Sequence, residues 1–189
     1  TWGLPKKPYR IKFPEKFSPI GLNHAKAKSW VLLAHDMDKS LLRNHLAFEL
    51  SRILFNSAEG YHDKAAIMFT PCSQMVNVYS GDNYYGVYQM SDQMEVAKGR
   101  INLDKLVAVD GSDPNKISGG HLLETNIHHD EGYPVSFTSS RGIYIDHKYP
   151  KDDDMDMSQY KYMEDFVRKA EAALYSSNFT DPTVGWRKW

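Results

Sequence analysis

The feature that most constrains the fold is a short apolar segment followed closely by an amphipathic segment with helical spacing. Ser29–Ala34 is apolar and reads as a buried strand or a short apolar turn. Asp38 is a suitable N-cap for a helix opening at Lys39, and apolar residues then recur at helical intervals until about Phe55. A strand that leads into a helix favours a fold that mixes both elements.

Two further strand patterns lie on either side of this helix. In the first, Tyr9, Ile11 and Phe13 alternate with basic residues, which predicts a half-buried strand that Pro14 ends. In the second, Ser80–Asn83 has the composition of a tight turn and predicts a β-hairpin. The predicted hairpin strands are Gln74–Tyr79 and Tyr84–Met90.

The second half of the chain predicts one strand and one clear helix. The strand covers Gly119–Thr125, where the glycines indicate a close backbone approach or a bulge. The helix covers Met157–Tyr175, with an apolar stripe at helical spacing. Ala97–Val109 is predicted to form a further strand or a short turn segment. Because no convincing linker separates these segments, we expect residues 1–189 to form one compact α+β unit, an antiparallel sheet with packed helices.

Composition excludes several classes of protein. The chain has 189 residues, of which 41% are hydrophobic and 25% are charged, as in folded globular domains. A net charge of −1 provides no basic field for nucleic acid, and no apolar run approaches the length of a membrane span. Cys72 is the single cysteine, which excludes an intrachain disulfide. Both ends read as cut, so we expect a segment of a longer protein.

Glu49 is the most informative single position. It shares a predicted helix face with Leu42, Leu46 and Ile53, so its carboxylate is expected to be buried and to need a cation. The basic residues of the first strand region supply the candidates, namely Lys7, Arg10 and Lys12. A solvated carboxylate or a purely structural ion pair remains the alternative.

Other polar segments offer weaker signals. The polar exit of the second hairpin strand, Gln89–Glu95, could present hydrogen-bonding groups to a planar base, or could be an ordinary strand end. His128–Asp130 has metal-ligand residue types and permits a metal-dependent hydrolase, although a solvated loop explains it as well. The acidic run Asp152–Asp156 lacks the pattern of a calcium loop and fits the approach to a helix.

An ordered series of short motifs resembles the CotH family, the spore-coat-type atypical protein kinases. No single motif is specific, but their order and spacing across almost the whole chain resemble that family. The motifs are the segments 1–12, 30–34, 40–44, 46–50, 84–88, 119–124, 138–142, 148–150 and 178–182.

This resemblance implies a divergent kinase-like N-lobe with part of the region C-terminal to it, binding ATP with a divalent metal such as Mg²⁺ and phosphorylating protein Ser or Thr. Carried onto this chain, Lys7 or Lys12 would be the cation on the phosphate side and Glu49 its helix partner. The segment from Met90 to Gln93 would lie near the adenine.

The chain also departs from the family pattern. The carboxylates expected to hold metal and to orient the acceptor hydroxyl come after the equivalent of Trp189, so we expect this segment to be inert by itself. Ser91–Gln93 stands where the family often has Thr-Glu-Gln, which shortens a carboxylate near the presumed base site.

A second hypothesis is a non-catalytic coat or cell-surface interaction module that keeps the kinase fold. The protein substrate would be a coat or surface protein containing Ser or Thr. The family habit implies a bacterial spore coat, or an exported or cell-surface location, with no membrane span in this segment.

Overall fold

A computed structural model describes residues 3–22, 26–57, 69–108, 113–126, 135–151 and 154–188. They fall into two compact units, Thr1–Asn102 and Leu103–Trp189. Both units combine an antiparallel sheet with a helix, so the predicted α+β class is confirmed. The prediction that the chain is a single segment of a kinase domain stays a prediction, because one kinase-like domain can contain two such units.

In its described residues, the first unit is a four-stranded antiparallel sheet with one α-helix. Along the sheet the strands follow the order β1-β2-β4-β3, so β1 and β3 are the edge strands. The helix α1 comes between β2 and β3 in the chain. The elements are β1 (Tyr9–Phe17), β2 (Ala27–Leu33), α1 (Arg43–Ser57), β3 (Ser73–Ser80) and β4 (Asn83–Asp92).

One face of this sheet carries the hydrophobic core of the unit. Trp30 and Leu32 of β2 lie beside Tyr88 and Met90 of β4, and all four are buried. Leu32 and Met90 are directly opposed in the strand register, so they point to the same side of the sheet. Half-buried residues from the edge strands complete this core, among them Ile11, Phe13, Val76 and Val78.

The hairpin was predicted correctly, whereas the first strand is longer than predicted. β3 and β4 meet at Gly81 and Asp82, with Gly81 at a φ of 58°. β1 continues through Pro14 to Phe17, so the prediction that Pro14 ends the strand is wrong. The register with β2 is interrupted between Lys12 and Phe17, and an edge strand tolerates proline because one side of it needs no donor.

Asp38 caps the region before α1, but the helix begins later than predicted. Its carboxylate accepts hydrogen bonds from the backbone N–H groups of Ser40 and Arg43, at 3.1 and 3.0 Å. Leu41 between them has a φ of 60°, a left-handed conformation that no helix interior allows. The helix therefore begins at Arg43, not at Lys39.

The apolar stripe of α1 faces away from the sheet, against the prediction. Leu42, Leu46, Leu50 and Ile53 are between 49% and 59% exposed. Residues on the opposite side of the helix contact the sheet through hydrogen bonds instead. Spacing predicts which residues share a face but cannot tell which face turns inward when both carry contact-forming side chains.

A buried ion pair closes the first unit at the end of β4. The side chains of Asp92 and Arg100 are 0% and 1% exposed, and Arg100 Nε donates to Asp92 Oδ1 at 3.1 Å. The guanidinium also donates to the carbonyl of Ser29 at 2.7 Å and lies 5.0 Å from the centre of the Trp30 ring. The pair thus ties the chain after β4 to β2.

The part of the second unit that the structure describes is a three-stranded antiparallel sheet in the order β5-β7-β6, with one long helix. Its elements are β5 (Leu122–Asn126), β6 (Ser136–Thr138), β7 (Tyr144–Tyr149) and α2 (Met157–Leu174). β5 and α2 were predicted, while β6 and β7 are additional. Within Ala97–Ala108 the structure forms no named strand, only a single bridge from Ile101 to Val96.

Local chemistry explains the two predicted elements of this unit. A Cβ on Gly120 would lie 2.5 Å from the carbonyl oxygen of Asp104, so the predicted close backbone approach is confirmed. The carboxylate of Asp156 accepts from the backbone N–H groups of Ser158 and Gln159, which forms a capping box at the start of α2. Among the residues that the structure describes, no helix is long and apolar enough to cross a membrane.

The half-buried His121 and the buried His147 hold the start of β5 against β7. His121 Nε2 lies 2.7 Å from the carbonyl oxygen of Ile117, to which it donates. His121 Nδ1 is then the acceptor for His147 Nε2, at 3.0 Å. Burial and the neighbouring His121 lower the pKa of His147 to about 4, and burial lowers the pKa of His121.

Arg100→Met should strongly destabilise the first unit, because it leaves the buried Asp92 carboxylate without its guanidinium. We expect a loss of about 3 kcal/mol in the free energy of unfolding, measured by urea denaturation. Arg43→Met is the matched control, since the Arg43 side chain is 83% exposed, and should change stability by less than about 1 kcal/mol. Equal losses in the two variants would contradict the structural role of the buried pair.

His147 should make the protein less stable as the pH falls from about 6.5 to 4. Its pKa is about 4 in the folded chain and near 6.5 when unfolded, so the unfolded chain binds the proton first. The stability that neutral His147 contributes is complete above pH 6.5, and about 3 kcal/mol of it is lost by pH 4. Urea midpoints measured across this range should vary less with pH in His147→Leu, and an unchanged slope would contradict the assignment.

Candidate functional site

The register of the first sheet shows which side chains share a face. Arg10 is opposite Val31, Val31 is opposite Ser91, and Ser91 is opposite Ser73, so one row crosses all four strands. Directly opposed residues in antiparallel strands point to the same side. Lys12 and Gln89 belong to neighbouring rows of this side, which is opposite to the core.

Helix α1 lies over this same side at β3. His45 Nδ1 is 3.3 Å from Ser73 Oγ, and Ser51 Oγ is 2.8 Å from the hydroxyl of Thr70. Arg52 donates to the carbonyl of Pro71 at 2.7 Å. We therefore name the surface the helix-side face and define it by Arg10, Lys12, Ser73, Gln89 and Ser91.

Glu49 is not buried against a cation from the first strand. Its carboxylate pairs with Arg52, three residues further along the same helix, and its side chain is 47% exposed. The reason is the strand order, because α1 is attached at β3 while β1 is three strands away, at roughly 14 Å. The inward-facing pair with a first-strand lysine is therefore replaced by an ion pair within the helix.

The predicted adenine-side residues divide between the two faces of the sheet. The side chain of Met90 is 6% exposed and lies in the hydrophobic core, opposite to the helix-side face. Asp92 also points to the core side and pairs with Arg100, so this carboxylate is not available to a base on the helix side. Ser91 and Gln93 remain as the polar side chains at this strand end.

Two buried oxygen atoms at the end of β4 have no hydrogen-bond partner within the described part of the chain. They are Ser91 Oγ and Gln93 Oε1. Buried polar atoms are nearly always paired in folded proteins, so each unpaired atom needs an explanation, and an absent ligand is one. The family resemblance had named the segment from Met90 to Gln93, and the strand register now assigns Ser91 to the helix-side face.

Three of the four lysines in or just ahead of the first strand differ clearly in environment. Lys12 is exposed on the helix-side face, and Lys7 is half-buried ahead of β1. Lys6, which sequence reasoning missed, donates to the carbonyl of Val87 and lies 4.5 Å from the centre of the Tyr88 ring. Burial lowers the pKa of Lys6, which acts as a structural contact on the core side. Nothing in the sequence separates Lys6 from Lys7.

Metal ligands do not gather in the described ranges. No group of three or more His, Cys, Asp or Glu side chains there could hold a metal ion. His128–Asp130 lies outside the described residues, so the hydrolase hypothesis stays untested. Of the acidic run, Asp156 serves as the helix cap of α2, which confirms the interpretation of this segment as a helix approach.

Comparison with known proteins gives one positive result. The family model described as CotH kinase protein matches residues 2–183 of the 189-residue chain. No curated protein and no solved structure matches the chain. Because the family match covers nearly the whole sequence, this chain belongs to the CotH kinase family.

Proposed function

We propose that the chain is the ATP-binding portion of a CotH-like protein kinase and that the helix-side face of the first unit holds the nucleotide. The observation that carries this proposal is the pair of unpartnered buried oxygen atoms, Ser91 Oγ and Gln93 Oε1. They lie at the strand end where the family resemblance expects the adenine. Family membership supports a kinase-like protein, and ATP is the phosphate donor that protein kinases use.

The chemistry of the two oxygen atoms suits an adenine edge. Gln93 Oε1 can only accept, which fits the exocyclic amino group of the base, and the Ser91 hydroxyl can either accept or donate. Under this proposal Met90 makes no direct contact with the base, because its side chain belongs to the core and its backbone is paired with β2 and β3. A planar base would also cover the half-buried Val31 and so bury apolar area.

The phosphates would extend toward β1. Arg10 lies in the same register row as Ser91, two strands away at roughly 10 Å, and Lys12 lies in the next row. Both are exposed cations on the proposed nucleotide side. Lys12 is therefore our preferred phosphate contact, supported by Arg10, with Lys7 as the alternative from the family resemblance.

Glu49 would act at the far side of the face from these cations. Its carboxylate holds Arg52 and keeps about half of its surface exposed, so a further cation can reach it. We propose that Glu49 and Arg52 together form the charged border of the site beneath α1. A lysine–glutamate pair fixes the ATP phosphates in other protein kinases. In this chain the ion-pair partner of Glu49 is Arg52 instead of a lysine.

Phosphoryl transfer needs groups beyond those on this face. Mg²⁺ bound with ATP supplies charge neutralisation at the phosphates, and the described residues offer no cluster of ligands for it. The family resemblance expects these carboxylates after Trp189. We propose that the parent protein phosphorylates Ser or Thr of a protein, with a spore coat or surface location, and that this segment binds nucleotide without transferring phosphate.

Gln93→Leu should weaken ATP binding by about tenfold, because it removes an acceptor for the base. Lys12→Ala should weaken it to a similar extent by removing a phosphate contact. Both dissociation constants can be measured by isothermal titration calorimetry with ATP on the 189-residue chain.

The controls for this titration lie on the same strands. Lys28→Ala removes an exposed lysine from β2, one residue from the row of Lys12 and on the opposite face. Gln74→Leu changes an exposed glutamine of β3 that also faces the core side. Both should bind ATP as the wild type does. Wild-type affinity in Gln93→Leu and Lys12→Ala would refute the assigned site, and no ATP binding by the wild type would refute the function.

A phosphate-transfer assay on the parent protein distinguishes a kinase from a non-catalytic coat or surface module. Radiolabel transfer from ATP to protein should occur with the parent protein and should fall by at least tenfold in Glu49→Ala. Normal transfer by this variant would contradict the role of Glu49. Undetectable transfer by a parent protein that binds ATP would favour the interaction module.

A further inference from the structure

Gln89 is buried at the centre of the helix-side face and has a defined set of partners. Its exposure is 0%, and it lies in β4, an interior strand of the sheet. Its Nε2 donates to Ser73 Oγ at 2.6 Å, so its Oε1 is the acceptor, 2.6 Å from His35 Nε2. One glutamine thus joins the chain leaving β2 to the beginning of β3.

The hydrogen bonds continue from Ser73 into helix α1. Ser73 Oγ accepts a hydrogen bond from Gln89 Nε2 and lies 3.3 Å from His45 Nδ1, to which its own hydroxyl can donate. The resulting series runs His35, Gln89, Ser73, His45, with each donor facing an acceptor. It joins the two ends of the connection that contains α1, because His35 precedes the helix by eight residues and Ser73 begins the strand after it.

We propose that Gln89 is the positioning residue for helix α1, setting where Glu49 and Arg52 lie relative to the nucleotide side of β4. The effect of Gln89 on ATP binding rests on the proposed function, whereas its hydrogen bonds to Ser73 and His35 do not. The apolar stripe of α1 is about half exposed, so burial of that stripe does not fix the helix against the sheet. Among the described residues, α1 is hydrogen-bonded to Ser73, Thr70 and Pro71, and Gln89 is the fully buried side chain that links Ser73 to the chain leaving β2.

The position of Gln89 relative to Ser91 gives this role a functional consequence. Gln89 and Ser91 are two residues apart on one strand and point to the same side, roughly 7 Å from each other. A shift of α1 against β3 would therefore move Glu49 relative to the proposed base contact. Such a shift should alter the affinity for ATP without any loss of a group that touches ATP.

The test is hydrogen–deuterium exchange of the α1 amides, measured on the whole 189-residue chain at neutral pH. Gln89→Leu removes the links to both His35 and Ser73, and the amides of α1 should exchange about tenfold faster. Ser73→Ala removes the hydroxyl that joins Gln89 to His45 but leaves the hydrogen bond between Gln89 and His35. The amides of α1 should therefore again exchange faster, while the segment around His35 keeps its wild-type rate. Gln74→Leu, a matched exposed change next to Ser73, should leave both segments unchanged.

Three results would overturn the proposal. These are wild-type exchange of α1 in Gln89→Leu, equal acceleration in Gln74→Leu, and a uniform acceleration over the whole first unit, which would indicate a general loss of stability. If Gln89→Leu fails to fold, Ser73→Ala alone decides by the same criterion.

A second readout separates this proposal from the proposed function. In the parent protein, Ser73→Ala should raise KM for ATP about threefold to tenfold, while the α1 exchange rises as well. If α1 exchanges faster in Ser73→Ala but the wild-type chain does not bind ATP, the positioning role is supported and nucleotide binding is refuted. If α1 exchange is unchanged in Ser73→Ala and the wild-type chain binds ATP, nucleotide binding is supported and the positioning role is refuted.

Discussion

Strand β4 is the constraint on which the first unit depends. It is an interior strand, and its side chains alternate between two different environments. Tyr88 and Met90 enter the hydrophobic core, whereas Gln89 and Ser91 face the helix side. Because a slip of one residue would exchange these two sets, the register of β4 with β2 and β3 decides both the packing and the polar site.

The polar face also explains how a half-exposed helix can stay in place. Hydrophobic burial does not by itself fix the orientation of a helix. The hydrogen bonds to Ser73, Thr70 and Pro71 determine which side of α1 turns inward and where the helix lies along the beginning of β3. A helix held in this way can be repositioned at low cost, since each net hydrogen bond is worth about 1 kcal/mol. In this CotH kinase family member, a helix held by hydrogen bonds thus lies next to the proposed nucleotide face.

Some of this structure could be predicted from the sequence, and the reasons for the rest are physical. The hairpin at Gly81 and the helix after Asp156 were predictable because turn chemistry and capping act over a few residues. The partner of Glu49 was not, because it depends on strand order, which adjacent residues do not encode. Periodicity similarly grouped the leucines of α1 but could not decide which face turns toward the sheet.

The site shows the same division between local and long-range information. Gln93 could be named from the order of motifs, but Ser91 and Gln89 acquire their roles only when the register aligns them with Ser73. The hydrogen-bonded pair of His121 and His147 in the second unit likewise cannot be read from the sequence, since 26 residues separate its members. Contacts of this kind are where a structure adds most to a family assignment.

The central claim is that ATP binds on the helix-side face of the first sheet. The most direct measurement is an NMR titration of the isotope-labelled 189-residue chain with ATP, following the side-chain amide of Gln93 and the backbone amides of β1 and β4. The claim predicts saturable shifts at Gln93, Ser91 and Lys12, with much smaller shifts at Gln74 and Val76 on the core side. Shifts confined to the core side or to the second unit, or none at all, would contradict it.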